Sequence, residues 1–199
     1  MMVFGLTGPS GAGKTTALTA LRRLGFDVVD CDALYHELLR RDETLRQALR
    51  DTFGAETFLP DGRLDRKWLA ARVFSDAGEL KKLNNIVYPA MNAAVEQKIR
   101  ACKGRGIAID AINLIESGMG DLCEVTVALT ADPAVRAKRI IARDALTEEQ
   151  AWQRIRAQKP DKFYRKNCTF VLENRAGSEA EFQKLIQEFF EDLIFDLEG

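Results

Sequence analysis

The chain has 199 residues, which is long enough to bury the core of one α/β domain with a small helical subdomain inserted in it. Its 29 basic and 30 acidic residues give a net charge of −1, which argues against a nucleic-acid or membrane-surface binder, since such proteins normally carry a basic excess. Four widely spaced cysteines with one histidine do not suffice for a zinc site. The lack of a leader-like segment or a long uncharged apolar run predicts a cytoplasmic protein. A monomer is favoured.

A short apolar strand, residues 3–7, opens the chain and leads into a glycine-rich loop and a helix. The loop fits the pattern G-x-x-x-x-G-K-[ST], with Gly8, Gly13, Lys14 and Thr15 at the fixed positions. Glycines let successive backbone N–H groups point into one concavity, where they and the helix N-terminus bind phosphate. Lys14 supplies a charge for the β and γ phosphates, and Thr15 a hydroxyl ligand for Mg²⁺. The residues expected to contact ATP in this P-loop are Gly8, Gly11, Ala12, Gly13, Lys14, Thr15 and Thr16.

The second strand is expected over residues 26–32 and ends in two acids, Asp30 and Asp32, with a helix from Ala33 onward. Because ligands of open α/β sheets bind outside the carboxyl ends of the strands, both carboxylates are candidates for the γ-phosphate side of the site. Asp32 is better placed to leave the strand, which makes it the candidate base or orienting group for an acceptor hydroxyl. Helix capping explains an aspartate at this position equally well.

A long helical stretch is predicted between residues 34 and 103, with a turn at residues 60–62 and a break before Pro89. Within it, one helix is expected over residues 65–74, another near residues 79–87, and a third from Pro89. Some 70 residues of helix exceed what one crossover between parallel strands needs. Part of the stretch is therefore predicted to form a helical subdomain over the acceptor side of the site.

Two further strands carry the second half of the chain. The strand at residues 106–111 holds Asp110, where a carboxylate can reach Mg²⁺ directly or through water. The strand at residues 124–129 precedes a helix, and a capping box at Thr147 starts the next one. Residues 136–166 carry 10 Lys or Arg against 4 Asp or Glu. These arginine-rich helices are interpreted as a mobile lid over ATP, although solvated helix faces explain about half of the charges equally well.

The chain closes with a strand at residues 170–174 and a helix whose N-terminus carries Ser178 and Glu181 as a capping box. This helix is interpreted as structural because its apolar residues form one stripe. The stripe consists of Phe182, Leu185, Ile186, Phe189, Phe190, Leu193 and Leu197.

Five stretches, in family order along nearly the whole chain, together resemble the dephospho-CoA kinase family. They are Gly5-Leu6-Thr7-Gly8; Val28-Val29-Asp30-Cys31-Asp32; Leu64-Asp65-Arg66 with Val73-Phe74 and Leu83-Asn84; Arg139 to Arg143-Asp144 with Leu146-Thr147; and Arg154-Ile155 through Gln158 to Asn174. The resemblance implies one P-loop NTPase domain over residues 1–199, a three-layer α/β/α fold with a parallel sheet. It also implies a helical acceptor-binding insertion near residues 60–103 and a helical lid near residues 139–160.

The same resemblance implies ATP- and Mg²⁺-dependent phosphorylation of the ribose 3′-hydroxyl of dephospho-CoA, giving coenzyme A and ADP. The implied catalytic groups are Asp32 as base, Lys14, and Arg139 from the lid. Arg139, Arg143 and Asn174 join the P-loop as implied ATP contacts. The implied acceptor contacts are Asp32, Arg63, Arg66, Tyr88 and Glu116, and the implied metal site comprises Thr15 and Asp110.

Two other functions stay open at this point. The first is another small-molecule kinase, acting on a nucleoside or nucleotide, which would share every feature up to Asp32. The chain departs from the family pattern at Tyr88-Pro89 and Ile112-Asn113, and both departures lie in the acceptor region. A regulatory NTP-binding switch is the second alternative. Against it, neither Asn167 nor Asn174 begins the N-K-x-D pattern that reads guanine.

Overall fold

The computed structural model describes all 199 residues and has five strands and nine α-helices. The strands are β1 (Met2–Thr7), β2 (Phe26–Asp30), β3 (Gly106–Asp110), β4 (Val125–Thr130) and β5 (Phe170–Glu173). The helices are α1 (Lys14–Arg23), α2 (Cys31–Arg41), α3 (Glu43–Phe53), α4 (Arg66–Ser75), α5 (Ala77–Ala101), α6 (Pro133–Asp144), α7 (Glu148–Arg156), α8 (Asp161–Asn167) and α9 (Glu179–Glu198). Two compact units result: the sheet unit, residues 1–29 and 101–199, and the helical unit, residues 30–100.

The strands form one parallel sheet in the order β2-β3-β1-β4-β5. β1 and β4 are apolar along nearly their whole length and buried, as expected for strands covered by helices on both faces. β1 lies between β3 and β4, and its pairing places Leu6 opposite both Asp110 and Val127. The predicted α/β fold with a parallel sheet is confirmed, and its central strand leads directly into the glycine-rich loop.

Helix α9 covers the sheet through a narrower stripe than the sequence predicted. Phe182, Ile186 and Phe190 are buried at i, i+4 and i+8, and the Phe190 ring stacks 6.0 Å from that of Phe4. Leu185 and Leu197, predicted to belong to the stripe, are instead 53% and 44% exposed. At about 100° per residue, Leu185 falls roughly 100° from the centre of the buried row, and Leu197 lies in the last turn of the helix.

Two predicted boundaries in and near the helical unit are wrong. β2 ends at Asp30 rather than at residue 32, because the Asp30 side chain accepts a hydrogen bond from Ala33 N at 3.0 Å and caps α2. The expected break before Pro89 is absent, and α5 runs through it for 25 residues. Val87, Met91 and Val95 are buried at i, i+4 and i+8 on both sides of the proline, so packing holds both halves in one helix despite the lost hydrogen bond.

The helix α4 is confirmed, with Asp65 as its cap through a hydrogen bond from Trp68 N. The turn at residues 60–62 is also confirmed, since Gly62 N donates to Leu59 O at 2.8 Å. At the end of the chain, Ser178 caps α9, but the Glu181 carboxylate accepts from Gly177 N rather than closing the predicted box on Ser178. No helix combines the length and apolar character needed to cross a bilayer.

Candidate active site

The loop after β1 uses glycine where no other residue fits. Gly8, Gly11 and Gly13 have φ values of 126°, 79° and 114°, in the region that L-residues rarely adopt. A Cβ on Gly8 would overlap the carbonyl oxygen of Leu129, and one on Gly13 would lie 2.5 Å from the Phe182 ring. The loop therefore packs its backbone directly on β4 and α9 before it enters α1.

Four carbonyl oxygens of this loop each accept a hydrogen bond from a side chain. The pairs are Lys14 Nζ to Gly8 O at 2.9 Å, Arg136 Nε to Ser10 O at 3.0 Å, Arg139 Nη1 to Gly11 O at 3.0 Å, and Asn174 Nδ2 to Ala12 O at 3.1 Å. In a planar trans peptide, the C=O and the following N–H point in opposite directions. Because the oxygens of Ser10 and Ala12 face Arg136 and Asn174, the N–H groups of Gly11 and Gly13 point away from those side chains. Backbone N–H groups aimed in this way form the anion-binding concavities of phosphate-binding loops.

The predicted metal ligands lie at the same edge of the sheet. Thr15 is exposed in the first turn of α1, and Asp110 is the last residue of β3, paired with Leu6 one residue before the end of β1. No group of three or more His, Cys, Asp or Glu side chains in the chain could hold a metal ion by itself. This ligand set fits Mg²⁺, which typically binds through one or two protein oxygens together with phosphates and water.

Helix α6 contributes two arginines to the loop, and only one was assigned a role from the sequence. Arg136 is buried, and burial lowers the pKa of its guanidinium, an effect that Asp161 and Tyr164 oppose. It binds Ser10 O and, through Nη2, the amide oxygen of Gln158 at 2.6 Å. Neither Arg136 nor Gln158 was expected at the site, because their pairing joins segments that are 22 residues apart and follows no local pattern.

Arg143, an expected ATP contact, binds Asp144 instead through two hydrogen bonds of 2.7 and 2.9 Å. Asp144 also binds Arg154 and so links α6 to α7. The hydrogen bond from Arg143, followed by that from Arg154, lowers the pKa of the Asp144 carboxyl to about 2. In this structure Arg143 therefore binds the Asp144 carboxylate that joins α6 to α7.

Asn174 lies directly after β5 and is 6% exposed. Its backbone N donates to Thr130 O at 2.7 Å and its Nδ2 to the loop, while Oδ1 is buried without a hydrogen-bond partner. A buried amide oxygen of this kind is normally satisfied by a partner such as water or a ligand.

In the helical unit, Asp30 and not Asp32 caps α2, so capping does not explain Asp32. Asp32 is exposed in the first turn of the helix. A cavity of about 650 Å³ lies in the same unit. It is lined by His36, Leu39, Arg40, Glu43, Arg46, Leu59, Asp61, Gly62, Arg63, Leu64, Asp65 and Arg66.

Two expected acceptor residues line this cavity. Arg66 Nη2 lies 3.0 Å from His36 Nδ1, and Arg63 pairs with Asp61 at 2.7 Å. Two others do not: Tyr88 is half-buried in α5, and Glu116 lies in the sheet unit, 3.8 Å from Lys159 Nζ.

Comparison with known proteins agrees with this geometry. The family model for dephospho-CoA kinase matches residues 2–180. A dephospho-CoA kinase of Anaeromyxobacter dehalogenans is 37% identical over 183 residues, covering 90% of this chain and 87% of that protein. The crystal structure of TT1252 from Thermus thermophilus superimposes with a TM-score of 0.79 at 30% identity, covering 100% of this chain and 98% of that one.

A dephospho-CoA kinase from Campylobacter jejuni has the same fold, with a TM-score of 0.68 at 22% identity over 96% of each chain. The resemblance inferred from the five sequence stretches is therefore confirmed, and it extends from the first strand into the last helix. The chain belongs to the dephospho-CoA kinase family.

Proposed function

We propose that the protein transfers the γ-phosphoryl group of ATP to the 3′-hydroxyl of the ribose of dephospho-CoA, giving coenzyme A and ADP. The observation that carries this proposal is a P-loop whose carbonyl oxygens are bound by side chains, in a chain matched over residues 2–180 by this family. In such a reaction the oxygen of the acceptor hydroxyl attacks the γ-phosphorus, the bond to the β-phosphate oxygen breaks, and the hydroxyl proton passes to a base.

The P-loop would bind the ATP phosphates through its inward amides, with Lys14 adding positive charge. Thr15 and Asp110 would hold Mg²⁺, which neutralises charge on the β and γ phosphates when it is bound. Asn174, whose Oδ1 is buried without a hydrogen-bond partner, remains a proposed ATP contact from the family resemblance.

Asp32 is proposed as the base that receives the acceptor proton. Two observations support this role: its carboxylate is exposed, and the adjoining cap position is already filled by Asp30. An aspartate in this position serves mainly to orient the hydroxyl, because phosphoryl transfer depends chiefly on positioning and charge.

The cavity of the helical unit is proposed as the acceptor pocket. Its carboxylates are engaged: Asp65 caps α4, Asp61 pairs with Arg63, and Glu43 pairs with Arg46. Arg40 and Arg66 have no such acidic partner, so they are the cations best suited to the diphosphate of the acceptor. The pantetheine arm would pack on the apolar lining, Leu39, Leu59 and Leu64. Tyr88 and Glu116 remain proposed acceptor contacts from the family resemblance.

Residues 139–160 are proposed as the lid over the nucleotide. Ala137, Ile140 and Ala151 form a small core between α6 and α7, and the Asp144–Arg154 pair joins the same two helices. These helices would therefore move as one piece, about the contacts that Arg136 and Gln158 make with Ser10. Arg139, which holds Gly11 O in the structure described here, would exchange this contact for the transferring phosphoryl group when the lid closes.

Product identification tests the function. The protein is incubated with Mg-ATP and an equimolar mixture of dephospho-CoA, adenosine, uridine and a nucleoside monophosphate, and the products are identified by mass spectrometry. We expect coenzyme A to be the main product. Phosphorylation of a nucleoside or nucleotide in its place contradicts the proposal.

The acceptor pocket is tested separately by NMR. His36 is the only histidine of the chain, so its imidazole proton signals are assigned without mutagenesis. Dephospho-CoA should shift these signals in the wild type and much less in Arg40→Ala. Arg41→Ala is the matched control, because Arg41 is the neighbouring residue but pairs with Glu37 outside the cavity. Unchanged His36 signals in the wild type would place the acceptor elsewhere.

A further inference from the structure

Gln158, which follows α7, contacts the P-loop residue Ser10 through both ends of its amide. Its Oε1 accepts from Ser10 N at 3.2 Å, and its Nε2 donates to Ser10 Oγ at 2.9 Å. Both residues are half-buried, and they are 148 positions apart in the chain. A bidentate contact of this kind fixes the distance and the orientation of the two segments together.

Arg136 determines which end of the amide faces which group. A guanidinium can only donate hydrogen bonds, so the Gln158 atom that accepts from Arg136 Nη2 at 2.6 Å must be the oxygen. Ser10 N, also a donor, needs the same oxygen, and the amide nitrogen is left facing the hydroxyl. All three polar groups of Ser10 are then bound, because its carbonyl accepts from Arg136 Nε at 3.0 Å.

The contact between Gln158 and Ser10, called the clamp below, lies between two glycines of the loop. Gly11 follows Ser10 with a φ of 79°, and Gly8 precedes it by two residues with a φ of 126°. Glycines gain the most conformational freedom when a loop is released, and that freedom must be given up again when a ligand binds. Contacts that order the loop beforehand remove this cost from ligand binding.

We propose that Gln158 is a positioning residue that holds the P-loop ready for nucleotide by clamping Ser10. The inference rests on the proposed function for the identity of the nucleotide, ATP, and not for that of the acceptor. The clamp is formed before nucleotide arrives, so loss of the clamp weakens ATP binding. Bound phosphates would hold the loop once they are in place, so the turnover number stays nearly unchanged.

The clamp also couples the segment after α7 to the nucleotide. Coupling between two sites is reciprocal, so a clamp that strengthens ATP binding is itself strengthened by bound ATP. Amide hydrogen exchange of residues 156–160 should therefore slow on addition of Mg-ATP in the wild type. In Ser10→Ala the slowing should be clearly smaller.

The test measures Mg-ATP affinity by calorimetry without acceptor, so its outcome does not depend on which acceptor the enzyme uses. Gln158→Ala should weaken binding about 5- to 30-fold, the range for one or two lost hydrogen bonds, and Ser10→Ala about 2- to 5-fold. The double variant should match Gln158→Ala, because the same contact is lost. Gln153→Ala is the matched control, an exposed amide of α7 that contacts only Glu149.

Two further measurements separate positioning from packing. Gln158→Met fills the same space without polar ends, so it should bind Mg-ATP as weakly as Gln158→Ala. With saturating Mg-ATP and dephospho-CoA, kcat should stay within about threefold of the wild type while KM for ATP rises, as expected when ground-state binding alone is lost.

Urea unfolding identifies any variant that has lost its fold. If Gln158→Ala does not fold, the affinity of Ser10→Ala tests the proposal, because this variant keeps both Arg136 contacts. Wild-type affinity in both Gln158→Ala and Ser10→Ala, or additive losses in the double variant, would overturn the proposal. Recovery of affinity in Gln158→Met would reduce the residue to a packing role.

Discussion

Replacing Asn174 by aspartate tests how the end of β5 holds the P-loop. Asn174 is 6% exposed, and its Nδ2 donates to Ala12 O at 3.1 Å. Aspartate has nearly the same shape, but an ionised carboxylate has no proton to donate. The exchange therefore sets one oxygen against another at hydrogen-bond distance and changes little in volume.

The change in folding free energy caused by Asn174→Asp follows from the pKa of the new carboxyl. Burial and the facing carbonyl raise this pKa above the unfolded value of about 3.9. Each unit of rise costs about 1.4 kcal/mol of folding free energy once the pH exceeds the folded-state pKa. A rise of about two units costs about 3 kcal/mol at pH 7. Below about pH 3.9 this cost is absent, because the carboxyl is protonated in both states and its O–H can donate to Ala12.

Urea unfolding between pH 4 and pH 8 measures this difference. Asn174→Ala is the matched control, since it loses the donor without adding a charge and should cost about 1–3 kcal/mol at every pH. We expect the Asn174→Asp variant to lose stability relative to that control as the pH rises from 4 to 6, and to bind Mg-ATP more weakly at pH 7. Parallel pH profiles of the two variants would refute the Asn174–Ala12 contact as described.

Three other predictions concern the site and the lid. Lys14→Ala should remove most transfer activity while urea unfolding shows that the variant is still folded, and near-wild-type turnover would refute the P-loop assignment. Asp32→Asn should keep Mg-ATP affinity and slow single-turnover transfer by about 10²- to 10⁴-fold; weaker ATP binding with unchanged chemistry would make it a metal or structural residue. Asp144, whose pKa is lowered to about 2, stabilises α6 against α7 above its unfolded pKa of about 3.9, and this effect is lost as the pH falls toward 2. Asp144→Asn should therefore lower Tm more at pH 7 than at pH 2, and equal shifts at both would contradict the network.

Local sequence signals predicted the elements that depend on neighbouring residues. The glycine pattern placed the P-loop between β1 and α1, and Thr147 with Gln150 forms the capping box that starts α7. The parallel sheet followed from buried apolar strands separated by helices. In each of these cases the partners of a residue lie within a few positions of it, so spacing alone identifies them.

Features that depend on distant partners could not be read from spacing. The break expected before Pro89 is absent because buried residues on both sides hold α5 together, which outweighs the local preference of proline. In sequence, capping explained Asp32 as well as a catalytic role did, and only the fold assigns the cap to Asp30. Gln158 was part of a stretch that carried the family resemblance, but its contact with Ser10, 148 residues away, has no local signal.

The relative specificity for acceptors distinguishes a dephospho-CoA kinase from a nucleoside kinase. Binding energy from the diphosphate and pantetheine arm should be used in the transition state as well as in binding, so the bare nucleoside should be a far poorer substrate. We predict that kcat/KM with saturating Mg-ATP is at least about 100-fold higher for dephospho-CoA than for adenosine or uridine. A higher kcat/KM for either nucleoside would contradict the account and identify a nucleoside kinase.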